Sequence, residues 1–194
     1  MKKIIFSHCI RKAGLGGEDF AIERICNLSD RFDKNIYHLK ESVILSSFQN
    51  IFLIVKFIFS LNYFFYVKKN QHSRHIICNP FPNISLLSIF LLGFTNVPLR
   101  IYVHNFSLSC ISGRHYAKKR IFMNTDSNKY NLSFRCAESP LRYALNFIKY
   151  FLFYKLFFSF NKNKAYFVSP FQAELAKNAG LVKSRYIIAG NVTW

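Results

Sequence analysis

The stretch Ile101-Tyr102-Val103-His104-Asn105-Phe106-Ser107-Leu108-Ser109-Cys110-Ile111-Ser112-Gly113 decides how the chain is read. It opens, shortly after Pro98, as a short apolar run with β-branched members. Such a run bounded by breakers suits a strand buried on both faces. It stops at His104-Asn105 and gives way to small, polar, loop-forming residues. In an open α/β sheet, ligands bind just beyond the carboxyl ends of the strands. A titratable His followed by Asn at that point is a candidate site, with His104 as the catalytic group. The plainer alternative is a His that closes the strand by bonding to backbone.

Working outward, the same pattern recurs. Lys2–His8 reads as a first strand, followed by a loop that holds Gly14, Gly16, Gly17 and Glu18. Asp19 to Phe32 then reads as a helix, because Ala21, Ile25, Leu28 and Phe32 share one face. Ile36–Leu39 is a weak second strand. Val43–Lys69 is a long apolar helical region, one helix or two. Ile76–Cys78 is a third strand ended by Asn79-Pro80-Phe81-Pro82-Asn83, and Ile84–Gly93 is a short apolar helix. Pro98–His104 is the next strand. A helix beginning at Ser139-Pro140 runs to about Phe160, with Phe147, Tyr150, Phe151, Tyr154 and Phe158 as its aromatic stripe.

Ala165–Val168 is a further strand. Ser169-Pro170-Phe171-Gln172 fits a capping box with Pro at the first helical position. Phe171, Leu175 and Ala179 would form the inner stripe of that helix, which Gly180 ends. Tyr186–Ile188 is a last strand, running into Ala189-Gly190-Asn191. Strands alternating with helices predict an α/β fold: a Rossmann-like open parallel sheet with helices on both faces. The loops beginning at Cys9, Asn79, His104, Ser169 and Gly190 should gather along one edge.

Composition bounds the partners. The chain has 194 residues, a formal net charge of +18 and 51% hydrophobic residues. That is enough for one domain with a real core and argues against disorder. The charge points to an anionic partner: a membrane surface, nucleic acid or a phosphorylated substrate. Cys9, Cys26, Cys78, Cys110 and Cys136 are odd in number and never at CxxC spacing. This argues against a metal site or a disulfide framework and fits reduced thiols in a cytosolic protein.

The N-terminus has an apolar core of only a few residues, against about 7–15 in a signal peptide. Val43–Val67 is strongly apolar but carries Lys56 near its middle, which costs roughly 2.5–3.5 kcal/mol in a bilayer. A buried or interfacial helix is expected there and at Phe147–Phe160. Gly113–Cys136 is the least regular stretch. Its Arg114, Lys118, Lys119 and Arg120 read either as a solvated loop or as an electrostatic grip on anionic lipid, worth about 1 kcal/mol per basic residue.

Taken together, four places resemble the N-terminal, acceptor-side domain of a retaining GT-B glycosyltransferase, of the large family of bacterial polysaccharide and lipopolysaccharide enzymes. Gly14-Leu15-Gly16-Gly17-Glu18 is similar to that family's glycine-rich loop, and Asn79-Pro80-Phe81-Pro82-Asn83-Ile84-Ser85 to its NxFPxxS stretch. Val103-His104-Asn105-Phe106 with Cys110 and Gly113 resembles its HNY…C…G strand end. Val168-Ser169-Pro170-Phe171, Gly180 and Ile187-Ile188-Ala189-Gly190-Asn191 resemble its approach to the interdomain linker. The family often has His where this chain has Cys78, and a second Cys near Cys136 that is not present here.

The resemblance implies a domain over residues 1–190, a linker starting at 191–194, and a donor-binding second domain beyond the given sequence. Without that domain, no transferase activity is expected. It implies donor or substrate contacts at Gly16, Gly17, Glu18, Asn79, Asn105, Ser169 and Asn191, and a place for His104 beside the reacting sugar. Physically, backbone donors would stabilise the departing diphosphate, and His104 would donate a hydrogen bond to a sugar hydroxyl. Arg114, Lys118, Lys119 and Arg120 would meet acceptor or membrane.

The partners expected are a nucleotide sugar as co-substrate, a lipid-linked or polysaccharide acceptor and an anionic membrane surface at the cytoplasmic face. No metal, other cofactor or nucleic acid is expected. The alternative is a basic nucleic-acid- or membrane-binding domain without catalysis, although no recognised nucleic-acid motif appears. A nicotinamide-dependent enzyme is disfavoured: Asp19 replaces the third glycine of GxGxxG, and Lys40 stands near the end of the second strand, where an acid is expected.

Overall fold

A computed structural model of the chain describes residues 4–8, 37–38, 47–78, 84–103, 116–117, 120–121, 140–180 and 186–188. The chain forms two compact units, divided after Ile101.

The first unit is built on β1 (Ile4–His8), β2 (Tyr37–His38), β3 (Arg74–Ile77) and β4 (Leu99–Val103), the last of which runs across the division. All their pairings are parallel, in the order β2–β1–β3–β4. The register aligns Ile5 with His75 and His75 with Leu99, and likewise Ser7 with Ile77 and Ile77 with Ile101. Partnered residues of parallel strands share a face, so these six side chains form one layer, and all six are buried. The opposite face carries Ile4, Phe6, Arg74, Ile76, Arg100 and Tyr102. The helix expected over residues 19–32 lies outside the described residues.

Among the described residues, this unit has three helices: α1 (Ser47–Phe59), α2 (Asn62–Lys69) and α3 (Leu86–Gly93). The apolar region expected over Val43–Lys69 is thus two helices, interrupted at Ser60-Leu61. A serine network holds the interruption. Ser85, the N-cap of α3, accepts from the Ser88 N–H at 3.0 Å, and its hydroxyl donates to the Ser60 carbonyl. Ser88 Oγ donates to the same carbonyl at 2.7 Å and accepts from the Phe64 N–H at 3.3 Å. Both serines are fully buried. Carbonyl and amide groups left over at the break are satisfied by side chains rather than water, as burial requires. Both α1 and α2 pack on α3.

In the second unit, a short antiparallel pair β5 (Tyr116–Ala117) and β6 (Arg120–Ile121) forms where the sequence predicts an irregular loop. A long helix follows. It begins as α4 (Pro140–Asn146), passes through a π-helical segment (Phe147–Leu152) and ends as α5 (Phe153–Ser159). Each π turn holds one residue more than an α turn, so the faces shift beyond it. That displaces the predicted aromatic stripe. Phe153, Tyr154 and Phe157 are buried, whereas of Phe147, Tyr150, Phe151, Tyr154 and Phe158 only Tyr154 is.

The unit closes with β7 (Lys164–Phe167), α6 (Pro170–Asn178) and β8 (Tyr186–Ile188), the two strands being parallel. The inner face of α6 also differs from expectation. Gln172, Ala173 and Ala176 are buried, while Phe171 is 57% exposed and Leu175 and Ala179 are half-buried. The helix packs on β7 and β8, and alanines allow the close approach that a phenylalanine would block. Gly180, at φ 72°, ends α6 as predicted.

Candidate functional site

The strand order fixes where a ligand should sit. The chain leaves β1 for β2 on one side and returns to β3 on the other, so β1 and β3 flank a topological switch point. Ligands of open α/β sheets bind in the crevice outside the carboxyl ends of such strands. Here those ends lead into residues 9–18 after β1 and into Asn79 after β3. On β4, paired to β3, the carboxyl end leads into His104. The carboxyl ends of β1, β3 and β4 therefore share one edge.

The floor of that edge is well tied. The Cys78 N–H donates to the Ser7 carbonyl at 2.9 Å, carrying the ladder one residue past β3. Ser7 Oγ donates to Tyr63 Oη of α2 at 3.2 Å, within the core. Cys78 is a buried thiol and belongs to the packing beneath the edge. Ser85, the last residue of the stretch similar to NxFPxxS, acts here as a helix cap and as a latch on Ser60.

Gly16, Gly17, Glu18, Asn79, His104, Asn105, Arg114, Lys118, Lys119 and Asn191 lie outside the described residues. Arg120 is in β6, with only its backbone described. Ser169 is described fully. It is the N-cap of α6, and its Oγ accepts from the Gln172 N–H at 3.3 Å. The reciprocal half of the capping box is not made, because Gln172 Oε1 is buried without a partner. Ser169 follows β7 closely and so lies at the carboxyl edge of the parallel β7–β8 pair.

At the amino edge of the first unit lies a cleft of about 450 Å³, lined by Lys68, Gln71, His72, Phe94, Thr95, Asn96 and Val97. These residues precede β3 and β4, so the cleft opens on the edge opposite the switch point. No residue singled out in the sequence lines it.

His75, the second residue of β3, is fully buried nearby. Its Nε2–H donates to the Asn70 carbonyl at 3.0 Å, which leaves Nδ1 bare and unpartnered. Burial pushes its pKa below the ordinary value, and the backbone hydrogen bond only partly opposes this. A neutral ring wedged against Tyr66 is a packing group. On the other sheet face, Arg100 Nε and Nη1 are buried without hydrogen-bond partners. Among the described residues, no group of three or more His, Cys, Asp or Glu side chains could hold a metal ion.

Comparison with profiles of known families, with curated proteins and with solved structures found no match.

Proposed function

We propose that the chain is the acceptor-side domain of a glycosyltransferase of GT-B architecture. It would serve transfer of a sugar from a nucleotide-sugar donor to a lipid-linked glycan acceptor in cell-surface polysaccharide synthesis. It would work at the cytoplasmic face of a membrane, with helices on both faces of the sheet and a second domain supplying most of the donor site.

One observation carries this reading. The parallel β2–β1–β3–β4 order brings the carboxyl ends of β1, β3 and β4 to one edge, and the glycine-bearing segment, Asn79 and His104 follow those ends in the sequence. Backbone N–H groups at Gly16-Gly17 would face the donor diphosphate, with Glu18, Asn79, Ser169 and Asn191 as further substrate contacts. His104 would donate a hydrogen bond to a sugar hydroxyl beside the reacting carbon, and Asn105 would orient the same sugar. Arg114, Lys118, Lys119 and Arg120 would meet the acceptor diphosphate or lipid headgroups, in keeping with a net charge of +18.

The test is binding of a polyprenyl-diphosphate-linked sugar in detergent micelles, with duplex DNA as the competing ligand. His104→Ala and Asn105→Ala should each weaken sugar-lipid binding roughly tenfold, the cost of one well-placed hydrogen bond in a shielded site. Tighter binding to duplex DNA, with no measurable binding of the sugar lipid, would overturn the reading in favour of a nucleic-acid-binding domain.

A further inference from the structure

Helix α1 is strongly apolar, yet only one side of it is used by the core. Phe57 is buried, while Ile51, Phe52, Val55 and Phe59 are exposed. At about 100° per residue these four fall within one arc of roughly 100°. Phe52 and Phe59 keep 69% and 61% of their surface in contact with solvent. The helix cannot turn this face inward, because its Phe57 side is packed and the Ser60 carbonyl just beyond it is latched to Ser85 and Ser88. On α2, Tyr63 and Val67 point into the core, and Phe65 points out between Lys68 and Lys69, its neighbours three and four residues on.

Charge identifies what covers these faces. From residue 42 to residue 125 the chain contains no Asp or Glu, against nine Lys and Arg. Lys56 borders the α1 stripe, adjacent to Phe52 and Phe59 on the helix surface. A second copy of the chain would bring cations against cations, which disfavours self-association. Nucleic acid would meet the lysines but leave Ile51 and Val55 against water. An anionic bilayer satisfies both, since an apolar face sinks to the headgroup boundary while cations meet phosphates.

Spanning is a different matter. Residues Ile51–Lys69 are apolar and long enough by composition alone. The break at Ser60, however, leaves α1 with 13 residues, about 20 Å of helix against a hydrocarbon core of about 30 Å. A span would also pull Tyr63 away from Ser7.

The geometry points to the outward faces of α1 and α2 as a docking surface for an anionic lipid bilayer. Helix α1 lies in the plane of the interface, and Lys56, Lys68 and Lys69 meet lipid phosphates. The surface stands on exposed residues and on charge, and it does not depend on the transferase reading.

Flotation of the full chain with vesicles tests it. Binding to equimolar phosphatidylcholine and phosphatidylglycerol should be strong and salt-sensitive, and binding to phosphatidylcholine alone weak. Phe52→Glu with Phe59→Glu should lower partitioning at least about tenfold. Lys68→Gln and Lys69→Gln should each lower it about fivefold. Phe52→Trp keeps the fold out of question. Its emission, compared with that of the wild type, should shift to the blue on adding anionic vesicles and be quenched by brominated lipid.

Unchanged emission at position 52 would overturn the proposal, as would wild-type flotation of the double glutamate variant. Binding lost only in Lys118→Gln, Lys119→Gln and Arg120→Gln would also overturn it, while leaving membrane contact itself intact. A dimer that the glutamate pair converts to monomer, without vesicle binding, would assign the face to a second copy.

Discussion

Helix α1 and the long helix from α4 to α5 are made of the same material and place it oppositely. Both are rich in Phe, Ile and Leu and carry isolated lysines. In α5 the aromatic rings Phe153 and Phe157 are wholly buried and stack at 6.2 Å. In α1 the rings Phe52 and Phe59 face solvent. The lysines differ too. Lys149 and Lys155 lie over the rings of Tyr150 and Phe151, at 5.0 and 5.5 Å from their centroids, in cation–π contacts within their own helix. Lys56 borders an apolar stripe without any acid nearby in sequence. Hydropathy is the same signal in both helices; which side of it the fold consumes is decided by packing.

The sharpest way to break this contrast is by truncation. Phe157→Ala should cost about 3–5 kcal/mol of unfolding free energy, because a large ring leaves a cavity in a packed core. Phe52→Ala should stay within about 0.5 kcal/mol. Denaturant unfolding of the two variants side by side would refute the contrast if the costs were alike.

The two sheet faces can be compared in the same way. Arg100→Met should raise stability by about 1–3 kcal/mol, since it removes buried donors that have no partners. A loss would mean that the guanidinium is satisfied in solution. On the other face, Tyr63→Phe should lower stability by about 1–2 kcal/mol by stranding the Ser7 hydroxyl.

His75 on that same face gives a pH signature. Its folded pKa lies below the unfolded value of about 6.5, so between the two the unfolded chain binds the extra proton. Stability is therefore full above about pH 6.5 and falls as the pH drops toward the folded value. His75→Leu should flatten that decline, and an unchanged slope would rule out the buried neutral ring as its source.

Among the destabilising changes a smaller one is Gly180→Ala, about 1 kcal/mol. A Cβ there meets nothing within 4 Å, so only the left-handed backbone at φ 72° resists it. Thermal unfolding would resolve a shift of that size.

Strands were the legible part of this sequence. Leu99–Val103, Tyr186–Ile188 and Ile4–His8 are short apolar runs, and burial alternates along Leu99–Val103. The caps were legible as well, because Ser169-Pro170 and Gly180 act within a few residues of themselves. What escaped depends on contacts distant in sequence. The π segment at Phe147–Leu152 moves the buried stripe, and no local pattern announces it. On α6 the alanine face won over the phenylalanine face because close packing on the strands outweighs hydrophobic count.

The β5–β6 pair is two residues long on each side, too short to show alternation. At the candidate site, the sequence indicated the edge through His104 and Asn79. The parallel register then gathers the ends of β1, β3 and β4 there, and Ser85 turns out to serve the fold.

The proposed function stands on substrate binding at the carboxyl edge of the sheet, at the β1–β3 switch point. The most direct measurement is photo-crosslinking of a diazirine-bearing polyprenyl-diphosphate sugar, with the labelled peptides mapped by mass spectrometry. Label is expected in peptides spanning residues 9–18, 79–83 and 104–113. Label concentrated instead in residues 68–72 and 94–97, around the cleft at the opposite edge, would contradict it.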